Sequence, residues 1–448
     1  MSNAGKSTRI SRMGEEGARH REFVKWACER RNVQINGVEP ASFPGAGLGI
    51  VATRNIIADE ALVFVPAAAL ITVPPDINEL KAAGPISVHG RLALSLLERG
   101  AKAPEDKLSI APWMTAMPSQ ADILPGMPVT WPPTLQELLP AGTSERLDIQ
   151  QKNYQRDLTA YLDHLRTSQP HSSPARLDEA KKAYTRAWLL INSRTFYWDY
   201  PPTSSIHLGS KRSRPLRKKN RPRDDCMALC PFLDYFNHVS GSACAQVEFN
   251  ATGFTARADR SYAAGEEINI SYGAHSNDYL LAEYGFVMGD EPANDSDFAL
   301  LDDYVLPLLD DMQRGRLRDK GLLSKFVMDR DGSVCFRTEC ALNLLVLSTG
   351  QWEKFVIGET GDNAPQKSKY EKILRERVLA VCIEHAKEQL KKVQSIGVVV
   401  EGSELEFPER EAGELKSREW DYAKAVLKTR WEQIALMAER GVESAGGG

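Results

Sequence analysis

The spacing of apolar residues divides the first half of the chain into helical and strand-like stretches. Apolar positions at three- and four-residue intervals in 18–31 predict an amphipathic opening helix. Residues 50–65 are β-branched and aromatic on both sides of residues 58–60 (Ala-Asp-Glu), which predicts two strands around a turn. From about 86 to 191 the pattern is helical, with Pro- and Trp-rich loops between the helices.

The second half begins with strands and then becomes helical. Strand-like character is found at 227–236, 245–249, 253–258 and 267–272. Helix-like spacing covers 276–284, 298–313, 370–394 and 411–440. The acidic, proline-containing segment 290–297 reads as a linker between these two kinds of structure. The pattern therefore predicts an α+β protein with a disordered N-terminus at 1–17, a mixed domain at 18–289 and a helical domain at 290–448.

The composition is that of an ordinary globular chain. The 448 residues are 42% hydrophobic and 26% charged, and the formal net charge is −4, so no global field favours nucleic acid or an anionic membrane. The apolar runs fall short of the ~20 residues of a membrane span, and 1–22 lacks the apolar region of a secretory signal. Seven cysteines favour a reducing compartment over a disulfide scaffold. We therefore expect a cytoplasmic protein without a membrane partner.

One basic segment stands out against this balance. Within the polar stretch 199–225, residues 211–223 hold eight Lys or Arg in thirteen positions, with two prolines. Such a run cannot bury enough apolar area to fold alone, which predicts a flexible loop. Three interpretations stay open: a nuclear-localisation or nucleic-acid patch, a loop that steers an acidic protein substrate, and an insertion without a role.

Gly45, Gly47 and Gly49 resemble part of a dinucleotide-binding fingerprint, but their context does not. That fingerprint needs a strand before the glycines and a helix after them, whereas here a proline-containing loop precedes and a β-branched run follows. A simple turn into a strand and a glycine loop that approaches a cofactor both fit the pattern.

A denser set of polar and aromatic residues lies at 231–238 (PFLDYFNH) and 265–286 (GEEINISYGAHSNDYLLAEYGF). An Asn-His pair after a buried strand is often only a satisfied core pair, and tyrosines are often core aromatics. Cys226, Cys230 and Cys244 lie near His238 in the sequence, but their spacing is not a paired CxxC. Buried thiols are therefore the preferred interpretation, and we predict no metal site.

The order and spacing of four segments resemble the SET-domain methyltransferases of the class typified by the plant Rubisco large-subunit lysine methyltransferase. The segments are 43–66 (FPGAGLGIVATRNIIADEALVFVP), 189–196 (LLINSRTF), 231–238 and 265–286. The resemblance implies a knotted β-rich SET domain with a helical insertion at about 86–191, followed by a helical substrate-binding domain at 290–448. It also implies S-adenosylmethionine as cofactor and a lysine of a non-histone protein, such as a ribosomal protein or translation factor, as substrate. A monomer that does not bind nucleic acid directly is expected.

The resemblance also carries site residues over to this sequence. Tyr272 resembles the catalytic tyrosine of the family, which also lies at the cofactor. The other residues that resemble cofactor-binding positions are Ala46, Gly47, Leu48, Arg194, Asn237, His238 and Phe286. Those that resemble substrate-binding positions are Ser193, Phe196, Asp234 and Tyr284.

The sequence departs from the family at two positions near the site. Asn192 and Trp198 stand where relatives often carry arginines, so the charge contact to the cofactor carboxylate is expected to be rearranged. The main hypothesis is a protein-lysine methyltransferase. The alternatives are a protein-histidine methyltransferase, a SET scaffold without catalysis and a chromatin factor directed by the basic segment.

Overall fold

A computed structural model describes residues 8–9, 14–43, 47–73, 86–171, 173–200, 226–358, 369–396 and 417–446. The chain divides into two compact units. The first unit contains 1–124 and 149–274, and the second contains 125–148 and 275–448. The basic run 211–223 lies outside the described residues, as does Ala46.

Strands and helices alternate irregularly along the described residues. The strands are β1 (Thr8–Arg9), β2 (Gln34–Ile35), β3 (Val38–Phe43), β4 (Gly47–Ala52), β5 (Ala61–Pro66), β6 (Thr195–Tyr197), β7 (Met227–Leu229), β8 (Gln246–Asn250), β9 (Gly253–Arg257), β10 (Glu267–Ile268), β11 (Phe298–Leu300) and β12 (Val327–Asp329). The α-helices are α1 (Gly14–Arg31), α2 (Val88–Gly100), α3 (Ala111–Ala116), α4 (Gln120–Ile123), α5 (Pro133–Gln136), α6 (Ala141–Ser168), α7 (Pro174–Arg194), α8 (Asn277–Tyr284), α9 (Asp302–Val305), α10 (Asp311–Asp319), α11 (Phe336–Leu344), α12 (Thr349–Val356), α13 (Lys369–Ser395) and α14 (Ser417–Gly446).

Two four-stranded antiparallel sheets form the β-rich part of the first unit. Their strand orders are β1-β3-β4-β10 and β2-β5-β9-β8, and a separate ribbon pairs β6 with β7. The two strands predicted around residues 58–60 are therefore confirmed as β4 and β5, although they belong to different sheets. The bend between them places Asp59 in the left-handed region, with a φ of +64°.

Helices α2 to α7 occupy the predicted helical insertion. Ser87 caps the start of α2, because its hydroxyl oxygen accepts a hydrogen bond from the Gly90 backbone N–H at 3.0 Å. The His89 ring of α2 stacks on the buried Trp188 ring of α7 with centroids 4.1 Å apart. This apolar contact joins the first and last long helices of the insertion.

The core of the second unit explains why its boundaries differ from the predicted 289/290 division. Leu135, Leu139 and Leu147, from the segment before residue 149, are buried in the same hydrophobic cluster as Leu281 and Leu427. Burial of these leucines removes apolar surface from water, which favours their packing together despite the long sequence separation. The second unit accordingly consists of 125–148 and of the chain from His275 onwards.

Two further predictions need correction. The expected disorder of 1–17 is wrong for Thr8–Arg9, which pair with β3, and for the residues from Gly14 on, which begin α1. The single helix predicted at 298–313 is also wrong. β11 opens this stretch by pairing with β12, Pro307 lies in a short 3₁₀ helix, and Asp310 caps a new helix through its side chain.

No helix within the described ranges is both long and apolar enough to cross a lipid bilayer.

Candidate active site

The side chains of Asn237, a predicted site residue, and Glu267 pack closely against Gly49 of β4. The Asn237 amide Nδ2 donates a hydrogen bond to Glu267 Oε1 at 2.9 Å. A Cβ atom on Gly49 would lie only 2.5 Å from that nitrogen and 2.8 Å from that oxygen. Glycine is therefore required at position 49 by the approach of this pair, and Gly47 opens the strand with a φ of +73°. Burial raises the pKa of Glu267, and the hydrogen bond from Asn237 opposes that shift.

Backbone pairing places Asn237 and His238 beside the segment that leads to Tyr272. The Ile270 N–H donates to the Asn237 carbonyl at 2.9 Å, and His238 forms a parallel bridge with Ile270. The Tyr272 N–H donates to His238 Nδ1 at 3.0 Å, so this ring nitrogen acts as an acceptor. The two rings stack with centroids 5.0 Å apart. Asn237, His238 and Tyr272 thus form one connected group.

The Tyr272 side chain is held with its hydroxyl un-ionised. Its Oη donates to the Phe236 carbonyl at 2.7 Å. Burial raises the pKa of Tyr272 to about 12, and the positive charge of Arg194 opposes part of that shift. Because the proton is engaged with Phe236, the lone pairs of Tyr272 Oη are the part of the group that can accept a hydrogen bond from another molecule.

The half-buried Asp234 is hydrogen-bonded to Trp113 and feels the charge of Arg194. The Trp113 indole Nε1 donates to Asp234 Oδ2 at 2.6 Å, and Arg194 Nη1 donates to Ser193 Oγ at 2.7 Å. Burial raises the pKa of Asp234 to about 6, against the opposing effects of the Trp113 hydrogen bond and the Arg194 charge. Asp234 Oδ1 and Arg194 Nε are buried and have no hydrogen-bond partner among the described residues.

Phe196 lies in the ribbon that follows Arg194. It pairs with Ala228 across β6 and β7, and its ring meets the edge of Phe254 at a centroid distance of 5.6 Å. Trp198 is buried against the same Phe254, with centroids 5.5 Å apart. The tryptophan found where relatives often carry arginine therefore belongs to an aromatic cluster.

The structure does not join every predicted site residue to this group. Tyr284 and Phe286 belong to the second unit, where their ring centroids lie 6.4 Å apart around Gly285. Gly285 ends α8 with a φ of +81°. Leu48 is on β4 of the first unit, and Ala46 lies outside the described residues. The channel role of Tyr284 and the cofactor role of Phe286 stay predictions.

Comparison with known families identifies the part of the chain that contains this group. A family model described as the SET domain matches residues 47–273, which is 227 of the 448 residues. The chain belongs to the SET domain family. The match contains β4, Asn237, His238 and Tyr272.

Relatives of several kinds match the chain. SET domain-containing protein 4 of Mus musculus is 27% identical over 87% of this chain and 87% of its own length. Ribosomal lysine N-methyltransferase set11 of Schizosaccharomyces pombe is 30% identical over 37% of this chain and 36% of its own length. Actin-histidine N-methyltransferase of Canis lupus familiaris is 26% identical over 59% of this chain and 42% of its own length. The last two of these relatives are named as methyltransferases that act on lysine and on histidine, respectively.

A solved structure shares the fold. The crystal structure of the SET domain of LSMT bound to lysine and AdoHcy superimposes with a TM-score of 0.54 at 15% identity, over 96% of this chain and 91% of that chain. The predicted fold class, a SET domain with a helical C-terminal region, is confirmed by this match and by the family model.

Three side chains that contact residues of the predicted site or its neighbours were not predicted from the sequence. Trp113 is 121 residues from Asp234, and nothing in its local sequence indicates that contact. Glu267 accepts a hydrogen bond from Asn237 and lies within the segment 265–286. Its charge inside that segment was the one sequence feature that could have indicated this contact. His20 of α1 contacts Tyr235 Oη at 2.7 Å, and burial lowers the pKa of His20 to about 4.

The cysteines of the SET domain are buried thiols. Cys226, Cys230 and Cys244 are free and buried. Within the described residues, no group of three or more His, Cys, Asp or Glu side chains could hold a metal ion.

Asp234 of the SET domain is expected to make stability depend on pH. Its pKa of about 6 in the folded protein exceeds its ordinary value of 3.8, so the folded state binds the proton more tightly. The free energy of unfolding contributed by this group is therefore highest below pH ~4 and falls as the pH rises to ~6. Asp234→Asn should flatten this part of the profile in thermal unfolding followed by circular dichroism. An unchanged slope between pH 4 and 6 would contradict the shifted pKa.

Proposed function

We propose that this chain is an S-adenosylmethionine-dependent protein methyltransferase that acts on a lysine of a non-histone protein, such as a ribosomal protein or translation factor. The observation that carries the proposal is the connected group of Asn237, His238 and Tyr272 inside the SET domain. The lysine methyltransferases among the relatives support the substrate class.

Several residues of the first unit fit the cofactor. Gly49 leaves β4 without a side chain beside Asn237, and Gly47 has the left-handed backbone that glycine adopts easily. Arg194 Nε is a buried donor without a partner among the described residues. We assign Gly47, Leu48, Arg194, Asn237 and His238 to cofactor binding. When bound, S-adenosylmethionine supplies a methyl group on a positively charged sulfur.

In this proposal, residues of the chain position the amine of the target lysine and control its protonation. A free lysine has a pKa of ~10.4, so only about one molecule in a few thousand carries a neutral amine at pH 7. Burial of the target amine lowers its pKa, because burial disfavours the ammonium form. Tyr272 Oη offers its lone pairs to an amine N–H, since its own proton is engaged with the Phe236 carbonyl. An amine held in this way needs little further reorientation before it reacts.

Histidine is the second candidate target. The observation that favours it is the match to actin-histidine methyltransferases over 59% of the chain. Transfer of label to protein, followed by acid hydrolysis and amino-acid analysis, separates the two candidates, because methyllysine and methylhistidine are different products. Recovery of methylhistidine alone would contradict the lysine proposal.

Cofactor binding is the first test, and it needs no knowledge of the substrate. Asn237→Ala and His238→Ala are expected to weaken S-adenosylmethionine binding by about tenfold or more, as loss of a well-placed hydrogen bond in a buried site costs roughly 1–3 kcal/mol. Isothermal titration calorimetry of the purified protein measures the dissociation constants. Asn153→Ala, an exposed position on α6, is the matched control.

The outcomes separate the enzyme from a non-catalytic scaffold. Saturable binding that is lost in both site variants and kept in Asn153→Ala supports the cofactor assignment. A folded wild-type protein that binds no S-adenosylmethionine, alone or with cell lysate added as a source of substrate, would favour the scaffold. Equal affinity in all the variants would remove Asn237 and His238 from the site.

A further inference from the structure

The second unit contains a cavity that the methyltransferase site does not use. Its volume is about 260 Å³, and it lies at the start of α6, with residues of α13 and α14 in its wall. All its lining residues belong to the second unit. The cavity is large enough for a chain of several heavy atoms together with water.

Asp278 places a buried carboxyl group at this cavity. The residue is 2% exposed, and its Oδ1 accepts hydrogen bonds from Thr143 Oγ1 at 3.0 Å and from Arg430 Nε at 2.8 Å. Its Oδ2 is buried and has no hydrogen-bond partner among the described residues. Arg430 also pairs with Asp297 at 2.7 Å, so one guanidinium serves two carboxyl groups.

A second acceptor without a donor lines the same cavity. Gln389 is 8% exposed, and its Nε2 donates to His385 Nε2 at 2.8 Å. His385 Nε2 is thus an acceptor, and its Nδ1 lies 2.7 Å from Tyr304 Oη. Gln389 Oε1 is buried and has no hydrogen-bond partner among the described residues. A buried acceptor without a donor costs free energy, so a ligand that brings donors would be stabilised here.

The remaining walls suit a cation on an apolar stem. Trp431 and Tyr304 contribute aromatic rings, and the apolar lining includes Leu139, Ala299 and Ile434. Two exposed carboxylates, Glu137 and Asp303, also line the cavity, and no lysine or arginine is among its lining residues. Acidic and aromatic groups together bind organic ammonium ions, whereas methylene stems pack on apolar surface.

We propose that this cavity is an accessory binding site for a primary alkylammonium group. A metal ion fits less well, because the described residues contain no cluster of three or more metal-ligating side chains. An ammonium group brings three N–H donors, and both Asp278 and Gln389 keep one acceptor atom without a donor among the described residues. The group can come from a protein lysine or from a free diamine. The inference does not depend on methyl transfer.

The indole N–H of Trp431 is a reporter placed in this cavity. It donates to the Leu138 carbonyl at 2.8 Å, and its resonance in a ¹H–¹⁵N spectrum is assigned by its loss in Trp431→Phe. N-acetyl-lysine methylamide is expected to shift this resonance saturably, and N-acetyl-norleucine methylamide, which lacks the ammonium group, is not. Because Trp431 lines the cavity, its resonance responds to a probe that binds there.

Variants of the lining residues test whether the shift of the Trp431 resonance depends on the acceptor side chains of the cavity. Gln389→Leu is expected to weaken binding of the lysine probe about fivefold, and Asp278→Asn about tenfold or more. Asp303→Asn should weaken it about twofold, because an exposed charge is screened by solvent. Asp319→Asn, an exposed carboxylate of the second unit that does not line the cavity, is the charge-matched control.

The outcomes are decisive even if Asp278→Asn fails to fold. Equal shifts with the lysine and norleucine probes, or unchanged affinity in both Gln389→Leu and Asp303→Asn, would overturn the proposal. Putrescine tests the source of the ammonium group: tighter binding than the lysine probe assigns the site to free diamines, and weaker binding assigns it to a protein lysine.

Discussion

Tyr272→Phe is expected to lower methyl transfer by roughly 100-fold or more while binding of S-adenosylmethionine is kept. The substitution removes only Oη, which is un-ionised and oriented by its hydrogen bond to the Phe236 carbonyl. Loss of one preorganised polar group at a reacting centre costs on the order of 10²–10³ in rate. The measurement is the initial rate at which labelled methyl groups from S-adenosylmethionine enter lysate protein, with calorimetry of cofactor binding beside it.

The matched control is Tyr154→Phe in the same unit. Tyr154 Oη lies 2.7 Å from Thr185 Oγ1, so this variant also loses one partly buried hydrogen bond, but away from the proposed site. Its rate should stay within about twofold of the wild type. A Tyr272→Phe enzyme with wild-type rate would contradict the assigned role. Parallel loss of cofactor binding would show that Tyr272 acts in binding and not in the transfer step.

The pKa of Tyr272 also determines which group can cause a change in the rate of methyl transfer with pH. Because that pKa is about 12, the hydroxyl keeps its proton throughout the range in which the protein is assayed. A rise in rate from pH 7 to 9 should therefore come from deprotonation of the target amine, whose ordinary pKa is ~10.4 for lysine. For a histidine target, whose ordinary pKa is ~6.5, the same rise should be largely complete near pH 7.

The sequence predicted half of the described strands, namely those whose signal is local. β-branched residues on both sides of residues 58–60 (Ala-Asp-Glu) indicated β4 and β5, and 245–249 and 253–258 indicated β8 and β9. The prediction failed where a long-range pairing decides the structure. Residues 298–300 carry apolar side chains that fit either a helix or a strand, and only the partner strand β12 makes them β11.

The site was predictable only through the resemblance to SET-domain methyltransferases, which carried Asn237, His238 and Tyr272 over from the segments 231–238 and 265–286. The structure connects these three residues to one another, and their roles stay predictions. Trp113 could not be found, since its contact with Asp234 depends on how the helical insertion folds back. The same holds for Arg430, which pairs with Asp278 across 152 residues.

Arg430→Met is expected to destabilise the second unit by about 3–5 kcal/mol. Arg430 is fully buried and holds Asp278 and Asp297 at 2.8 Å and 2.7 Å, so its loss leaves two buried carboxylates without their cation. Removal of one partner from a buried ion pair typically costs this much, because the other charge cannot return to water. Thermal unfolding followed by circular dichroism should show a melting temperature lower by roughly 10 °C.

Two further variants separate charge from packing. Arg330→Ala breaks a pair with Asp295 whose side chains are 36% and 67% exposed, and it should cost less than about 1 kcal/mol. The triple variant Arg430→Met, Asp278→Asn, Asp297→Asn also removes the two carboxyl groups that Arg430→Met leaves without a cation. It should recover much of the lost free energy of unfolding, because neutral side chains can replace a buried charge cluster. A triple variant no more stable than Arg430→Met would show that the methylene and guanidinium packing of Arg430, and not its charge, stabilises this core.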